Sequence, residues 1–324
     1  PPRESHDLGA FDARIRDHQF PAANTALPAL RGNFEVAEFH GEFLRDALRV
    51  DLFGIREEGR IDGDLHAPLR PEVPELKPGG TYLLETVIRN LRVGHHFTQG
   101  TADSNEVWLD VTLTDGDGQI IGRSGEIDDD GHVDRWAHFV NAFIIDRNGH
   151  RISRRNAQDI FVPVYNHQIP PGAAQTVHYG FTLPESITGP LTIDARLRYR
   201  KFDREFMEFV SRDLKRSELL EVELPIVDIA RDTLQLPVAG SIGKPAEQQV
   251  VTPTWERWND YGIGLLLNGR AELKQAEEAF GEVRHLGKAA GAANLARVLI
   301  NEGRLAEAID VLDSLETNSD PSAP

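Results

Sequence analysis

The sequence has no cysteine and only one methionine among its 324 residues. Without a thiol, the chain forms no disulfide, holds no iron–sulfur cluster or cysteine-ligated zinc, and attaches no haem covalently within these residues. It also lacks a run of about 18 consecutive apolar residues, the length that a membrane-spanning helix needs. Thiol chemistry is therefore excluded for this chain, and the sequence predicts no membrane span.

Positive charge is scarce as well. The 35 lysines and arginines are outnumbered by 52 aspartates and glutamates, which gives a formal net charge of −17. This balance argues against binding to nucleic acid or to an anionic membrane, because phosphate groups must be neutralised by lysine and arginine. The acidic surface keeps the chain dispersed in water, and it would suit a basic partner.

At 324 residues, the chain is long enough for two domains. Its first residue is Pro1 rather than methionine, and we expect a fragment of something longer or a processed product. The sequence pattern divides the chain into five parts. They are an N-terminal junction segment with a helix (1–48), an antiparallel β-sandwich domain (49–240), a linker (241–254), tetratricopeptide-like helical repeats (255–317) and a disordered tail (318–324).

Between residues 49 and 202 the sequence alternates apolar and polar side chains, most regularly at 106–115 and 190–202. Turn signals, such as those at 115–118 and at Asn148-Gly149, separate these stretches. Many short strands joined by such turns are typical of antiparallel sheets that pack face to face. We therefore predict a mainly β fold, an antiparallel sandwich of Ig-like or jelly-roll-like type.

Helical spacing occurs before and after this region. Residues 33–48 predict one helix, which Asn33 caps, and everything after the linker predicts helices. Gly269 and Gly303 are 34 residues apart, which is the tetratricopeptide period. The residues that match the repeat signature are Trp258, Tyr261, Gly262, Gly269, Ala276, Phe280, Ala296, Gly303 and Ala308.

The two repeat units differ in one turn. Seven residues separate Gly269 from Ala276, whereas five separate Gly303 from Ala308, so the first turn carries a two-residue insertion. Two such repeats are too few to be stable alone. The helices must therefore pack on the sheet domain, meet another chain, or be cut short by the end of the sequence.

Motifs of known enzymes are absent from the sequence. It contains no GxSxG elbow, Walker loop, HExxH or GxGxxG. The stretch GIGLLLNG at 262–269 has the wrong spacing for a nucleotide fingerprint and lies within a helical repeat. Carboxylates are numerous, but the sequence does not locate a pair for acid–base work. We expect no catalytic residue within this chain.

Histidine is the residue type with most potential for chemistry, because neutral imidazole binds copper, zinc and haem iron. Five of the 12 histidines lie on or beside predicted strands, namely His95, His96, His132, His138 and His178. His95 and His96 end one strand, His138 opens another, and Asp103 and Glu106 are close along the chain. The candidate metal ligands are therefore His95, His96, His138, Asp103 and Glu106. The structural alternative, which we favour, is that the histidine pair orders a loop through hydrogen bonds to Asp103 or Glu106.

The order of the motifs carries a resemblance. The runs are GHHFTQGTADSNEVWLDVTLTDGDGQIIGRSG, VDRWAHF, IIDRNGHRI and YNHQIPPGAAQTVHYGFTLP. Together they resemble the C-terminal part of multihaem c-type cytochromes that end in tetratricopeptide repeats, and DHQFPAANTALPALRG resembles the junction after the last haem site. The resemblance covers about residues 15–315. The sequence departs from the family at Thr98-Gln99, where Pro and Thr are more usual, and in having no CxxCH haem site.

This resemblance implies a non-catalytic accessory or scaffold region of a periplasmic or extracellular cytochrome engaged in electron transfer. Haem c is then expected in a part that precedes this chain, and no cofactor within the chain itself. The implied partners are the haem-bearing domain of the same polypeptide and a protein that contacts the helical repeats. His6 and His18 are candidate distal haem ligands across the junction.

Two alternatives belong to other functional classes. Trp136-Ala137-His138 resembles a motif of secreted copper proteins of methane oxidisers, so a copper site formed by His95 or His96 and His138 is one alternative. A carbohydrate-binding sandwich is the other, with Trp108, Trp136 and Tyr165 as the rings that could stack on sugars.

Overall fold

The computed structural model describes residues 2–4, 14–16, 21–100, 104–241 and 250–318. Within them, antiparallel strands dominate as far as residue 236, and four consecutive helices follow. This confirms the coarse expectation of an antiparallel β region followed by a helical region. The finer assignments, a sandwich of Ig-like or jelly-roll-like type and tetratricopeptide repeats, stay predictions.

The described residues form twelve strands and seven α-helices. The strands are β1 (Pro2–Glu4), β2 (Arg14–Arg16), β3 (Leu48–Glu57), β4 (Leu65–His66), β5 (Thr81–Asn90), β6 (Glu106–Thr114), β7 (Ile120–Ser124), β8 (Ala142–Ile145), β9 (Val162–Asn166), β10 (Ala174–Thr182), β11 (Leu191–Arg200) and β12 (Ile226–Leu236). The helices are α1 (Ala26–Leu30), α2 (Phe34–Leu44), α3 (Arg204–Leu214), α4 (Thr254–Asn268), α5 (Leu273–His285), α6 (Ala289–Glu302) and α7 (Leu305–Asn318).

Two four-stranded sheets make up most of the β region. The first has the order β10-β5-β3-β4 and the second the order β12-β11-β6-β7, and all of these neighbours are antiparallel. The strands β8 and β9 form a separate antiparallel pair, as do β1 and β2. One hydrophobic cluster takes side chains from both large sheets, for example Leu52 and Leu84 from the first and Leu109 and Leu197 from the second.

Strand β11 shows how the sequence pattern becomes burial. Leu191, Ile193, Ala195, Leu197 and Tyr199 are all fully buried, whereas the residues between them are partly exposed. Side chains of a strand point alternately to its two faces, so one face of β11 joins the core and the other faces solvent. The predicted alternation at 190–202 is confirmed.

Strands β3 and β5 are buried along almost their whole length, on both faces. One face contributes to the shared core, and helix α4 contacts β3, β5 and β10 of the same sheet. A second cluster joins Phe53, Val87 and Ala174 of the sheet to Tyr261 and Leu265 of α4. The helical region therefore packs on the sheet domain, one of the possibilities considered for repeats too few to be stable alone.

The helical region is an array in which α4 packs on α5, α5 on α6 and α6 on α7. Glycine allows two close approaches along it. A Cβ atom on Gly262 would lie 2.7 Å from the ring of Phe280, and one on Gly264 would lie 2.2 Å from Oγ1 of Thr176. Both distances are shorter than van der Waals contact, so these positions require glycine for α4 to meet α5 and β10.

Three features differ from the sequence expectations. Strand β5 ends at Asn90, so His95 and His96 lie in the loop after it rather than at its end. The pattern at 137–153 predicts two strands around the turn at Asn148-Gly149; the turn is present, but only an isolated bridge between Ile145 and Arg151 joins its two sides, and β8 pairs with β9 instead. Helix α3 and strand β12 were not predicted.

The predicted helix cap at Asn33 and the predicted turn at 115–118 are both formed by side-chain hydrogen bonds. The side chain of Asn33 accepts a hydrogen bond from the backbone N–H of Val36, which confirms it as the N-cap of α2. Oδ1 of Asp115 accepts hydrogen bonds from the N–H groups of Asp117 and Gln119, and Gly118 has φ +83°, so the hairpin turn between β6 and β7 is confirmed.

Candidate functional site

Glu106 lies at the start of β6, directly opposite Arg200 of β11. Its Oε2 accepts hydrogen bonds from Nε and Nη2 of Arg200 at 2.8 and 2.5 Å. Burial raises the pKa of Glu106 to about 7, although the Arg200 guanidinium opposes this rise. The carboxylate lines a cleft of about 510 Å³.

The start of α3 forms another wall of this cleft. Oδ1 of Asp203 caps the helix by accepting the N–H of Phe206 at 2.7 Å, and Nη2 of Arg151 lies 3.3 Å from Oδ2. Burial raises the pKa of Asp203 to about 6. Both buried carboxylates in the cleft, Glu106 and Asp203, are thus engaged by arginines. We interpret them as structural ion pairs, one joining β6 to β11 and the other joining the start of α3 to the loop after β8, rather than as a catalytic acid and base.

His95 and His96 lie in an exposed loop between β5 and the short bridge that Phe97 forms with Ile169. Nδ1 of His95 donates a hydrogen bond to the carbonyl of His96 at 2.8 Å. The side chain of Asn90 holds the start of this loop, because its Oδ1 accepts a hydrogen bond from the N–H of Val93. Asp103, the predicted partner of this pair, lies outside the described residues, as do the candidate haem ligands His6 and His18.

His138 is partly buried and stacks on a histidine that the sequence did not single out. The rings of His138 and His167 are 4.8 Å apart and nearly parallel, and Tyr165 continues the stack at 4.5 Å. Nε2 of His138 donates to Oε1 of Gln175, and Nδ1 of His167 donates to the carbonyl of Phe139. Burial lowers the pKa of His138 to about 4, so its imidazole is neutral at neutral pH. Burial lowers the pKa of His167 as well.

His178 has the opposite charge state. Its Nδ1 donates to Oε2 of the fully buried Glu85 at 2.5 Å, and its Nε2 lies 3.4 Å from Oε1 of Glu272. Burial lowers the pKa of His178, but the two carboxylates outweigh it and raise that pKa to about 9. The other oxygen of Glu85 accepts from Nε of Arg56, whose Nη2 in turn donates to the hydroxyl of Tyr261. This network ties the sheet to the helical region at two points, Glu272 and Tyr261.

The register of the sheet explains why this network could not be located in advance. His178 of β10 stands directly opposite Glu85 of β5, and the two are 93 residues apart along the chain. His178 was noted as a histidine near a strand, but Glu85 was not singled out. Alternation does place Glu85 among apolar neighbours in 81–93, and a buried carboxylate at such a position requires a partner.

No group of three or more histidine, aspartate or glutamate side chains within the described ranges is arranged to hold a metal ion. Of the five predicted ligands, Glu106 pairs with Arg200, His138 with Gln175, and His95 with the backbone of His96. The metal prediction for His95, His96, His138, Asp103 and Glu106 stays a prediction.

The three aromatic rings considered for sugar binding occupy different settings. Trp108 is fully buried, and its Nε1 donates to the carbonyl of Gly125. Tyr165 stacks on His167, whereas Trp136 is 79% exposed with the guanidinium of Arg135 over its ring. Trp136 is therefore the one of the three whose ring is open to solvent.

Residues of the repeat signature line the contacts between helices. Tyr261, Ala276, Phe280, Ala296 and Ala308 are buried, and Trp258 packs edge-on against Phe53 of β3. Gly269 and Gly303 follow α4 and α6 with φ of +111° and +81°, values that favour glycine. A single 3₁₀ turn at Arg270–Glu272 takes up the extra length between Gly269 and Ala276.

Helix α2 carries apolar residues on two opposite faces. Ala37, Gly41 and Leu44 are buried against the rest of the chain. Val36, Phe39 and Phe43, spaced at i, i+3 and i+7, form a second stripe that is exposed. Phe43 alone is 56% exposed, and Phe34 at the start of the helix is exposed as well. We call Val36, Phe39 and Phe43 the outer stripe of α2.

Comparisons with known proteins give little further guidance. No protein-family model matches the chain, and no curated protein is significantly similar to it. Among solved structures, the chain is similar to a penta-haem cytochrome c552 from Thermochromatium tepidum, with a TM-score of 0.36 and 11% identity over 60% of this chain and 41% of that one. It is also similar to Spo0M, a sporulation control protein from Bacillus subtilis, with a TM-score of 0.22 and 9% identity over 68% and 56% of the two chains.

The likeness is therefore weak in both cases. The aligned part amounts to less than two thirds of either solved chain. In the part of the chain that the structure describes, no helix is long and apolar enough to cross a membrane.

Proposed function

We propose that this chain is a non-catalytic accessory and scaffold region of a periplasmic or extracellular multihaem cytochrome, in which haem c is held by a domain that precedes it. The order of the sequence motifs supports this proposal, as does the absence of catalytic motifs in the sequence. The observation that carries it is the outer stripe of α2, because adjacent exposed apolar side chains on one helix face are typical of a contact surface.

The position of the stripe fits a haem-bearing neighbour. Helix α2 is the first long helix after DHQFPAANTALPALRG, the stretch that resembles the junction following a haem site. A domain attached at this junction would lie next to α2 and could bury Val36, Phe39 and Phe43. His18 belongs to this stretch and His6 precedes it in the sequence, and we propose both as distal haem ligands.

We further propose that the two large sheets form a sandwich and that α4–α7 are two tetratricopeptide-type repeats. The shared hydrophobic cluster of both sheets supports the first assignment. The buried signature residues, and the glycines after α4 and α6, support the second. In this arrangement the sheets serve as the platform and the helices as the site for a protein partner.

Reading the coding sequence upstream of Pro1 tests the haem proposal. We expect CxxCH codons in the same reading frame before Pro1, because the resemblance places the last haem site there. An in-frame stop codon, or a start codon without any CxxCH between it and Pro1, would contradict the proposal.

The docking step can be tested separately once the preceding domain is known. Mixing that domain with this chain should give a complex in size-exclusion chromatography, and Phe39→Gln with Phe43→Gln should weaken it at least tenfold. Ile120→Gln, an equally exposed apolar residue of β7, serves as the control and should leave the complex unchanged. Equal binding by both variants would rule out the outer stripe of α2 as the contact.

Copper binding is the second candidate, and one observation favours it. His138 and His167 are stacked, and burial lowers the pKa of both, so each ring is in the neutral form that binds metals. Metal analysis after incubation with copper, for the wild type and for His96→Ala, His138→Ala and His167→Ala, tests it. The same copper content in all four proteins would end this proposal.

A further inference from the structure

The last helix of the array, α7, has an inner and an outer face. Ala308 is buried against the other helices, and Val311 packs on the same cluster. Leu305, Ile309 and Leu312 lie on an adjoining side of the helix and are 58%, 57% and 40% exposed. Their spacing of i, i+4 and i+7 places them on one side of the helix. We call these three residues the outer stripe of α7.

An apolar outer stripe is unusual at the end of a stacked helical array. Each internal helix buries its apolar faces against its two neighbours, and the terminal helix normally turns a polar face to solvent. Helix α7 instead repeats the apolar spacing that the inner helices use to contact one another. The outer stripe of α7 therefore has the pattern of a surface that receives one more helix.

Charge indicates what kind of helix would fit. Between residues 305 and 318 the sequence has four acidic residues and no lysine or arginine. Glu307 is paired with Arg304, whereas Asp310 lies exposed on the solvent side of α7. A second copy of the chain would bring one acidic helix against another, and an anionic membrane would meet the same repulsion from a protein of net charge −17.

We propose that the outer stripe of α7 binds a basic amphipathic helix of a partner protein. The apolar residues of that helix pack on Leu305, Ile309 and Leu312, and its lysines and arginines meet the acidic flank that includes Asp310. This interaction does not depend on haem. It can be present or absent whatever precedes Pro1, so its test is independent of the one for the haem proposal.

The probe is a fluorescent synthetic peptide of 18 residues, built of leucine and lysine with leucines at helical spacing. Its binding to the purified chain is measured by fluorescence anisotropy at several salt concentrations. The test variant is Ile309→Gln with Leu312→Gln. The control is Leu267→Gln with Ile120→Gln, which removes two apolar residues of similar exposure elsewhere on the surface. Melting temperatures of both double variants should equal that of the wild type, since all four side chains are exposed.

We expect the test variant to bind the peptide at least tenfold more weakly and the control to bind it as the wild type does. Asp310→Lys should weaken binding and reduce its dependence on salt, because one ionic contact is lost. A peptide with glutamate in place of lysine should not bind.

Two results would overturn the proposal. Equal affinity in the test and control variants would mean that the peptide binds the acidic surface at large. A dimer seen in analytical ultracentrifugation for the wild type, and lost in Ile309→Gln with Leu312→Gln, would mean that a second copy of the chain occupies the stripe.

Discussion

Arg257 links the helical region to the sheet through hydrogen bonds to Asp51 and Leu69. It lies in α4 with only 2% of its surface exposed. Its Nε and Nη2 each donate to one oxygen of Asp51 on β3 at 2.8 Å, and its Nη1 donates to the carbonyl of Leu69 at 2.8 Å. Replacing Arg257 by leucine would remove all three donors and leave Asp51 with Arg70 as its remaining cation.

The cost follows from that geometry. Removing one partner of a buried ion pair destabilises a protein by about 3–5 kcal/mol, because the other charge stays in a site without full compensation. The unfolding entropy of 324 residues is about 0.7 kcal/mol/K, so each kcal/mol lowers the melting temperature by about 1.5 °C, and Arg257→Leu should melt about 4–7 °C below the wild type. Loss of the guanidinium also removes its contact over the ring of Phe53.

Differential scanning calorimetry of Arg257→Leu and Arg45→Met measures this effect. Arg45 pairs with Glu38 on the surface, where 46% and 60% of the two side chains are exposed, so its replacement should change stability by less than about 1 kcal/mol. If the two variants melted within a degree or two of each other, the helical region would not be held to the sheet by the Arg257–Asp51 pair.

Two further predictions concern the same interface. The pKa of His178 is raised from 6.5 to about 9, so the stability that its charged form contributes is complete below pH 6.5 and is lost as pH rises through 9. The unfolding free energies of the wild type and His178→Gln should therefore differ by on the order of 3 kcal/mol at pH 6, and urea titrations should show this difference shrinking by pH 9.5. A difference that stays constant with pH would refute the prediction. Gly262→Ala should destabilise the chain by about 1–3 kcal/mol, because the added Cβ would meet the ring of Phe280. Gly281 has open space around it, so Gly281→Ala should instead stabilise the chain by about 0.5–1 kcal/mol. Equal effects of the two substitutions would contradict this packing.

The predictable part of the fold rests on signals that lie close together in the sequence. Alternation in β11, the cap at Asn33 and the turn at Asp115 each depend on residues within one element, so local chemistry decides them. Helix α3 and strand β12 were missed, although α3 has a local signal in its cap Asp203, which accepts the N–H of Phe206. The partners of its buried face are what the sequence does not show. The buried side chain of Met207 in α3 packs with Phe202, Leu224 and Ala26, which the sequence does not place together.

The candidate site was less predictable than the fold for the same reason. His138 was identified, but its neighbours His167 and Gln175 follow only from the packing of β8, β9 and β10. His95 and His96 stood out as an adjacent pair, and they lie in an exposed loop whose predicted partner Asp103 is outside the described residues. Adjacency along the chain is therefore a weaker guide to a site than the register of two strands.

Exposed apolar stripes were not predicted either. The spacing in α2 and α7 indicates amphipathic helices, but it does not tell which apolar residues remain uncovered once the helix has packed. The spacing in residues 33–48 suggests Val36 and Phe39 as the start of the buried side of α2, whereas Ala37, Gly41 and Leu44 form it. Small residues can make the buried face when the helix lies close to its neighbours, since a Cβ on Gly41 would be 3.2 Å from Val227.

The central claim is that this chain belongs to a longer polypeptide that carries covalent haem. Antibodies against residues 21–318 and a haem stain, applied to the same denaturing gel of native cell extract, test it directly. The account predicts one band that reacts with both and runs well above 36.1 kDa, the mass of this chain. A band at 36.1 kDa that the antibodies detect and the haem stain does not would contradict it.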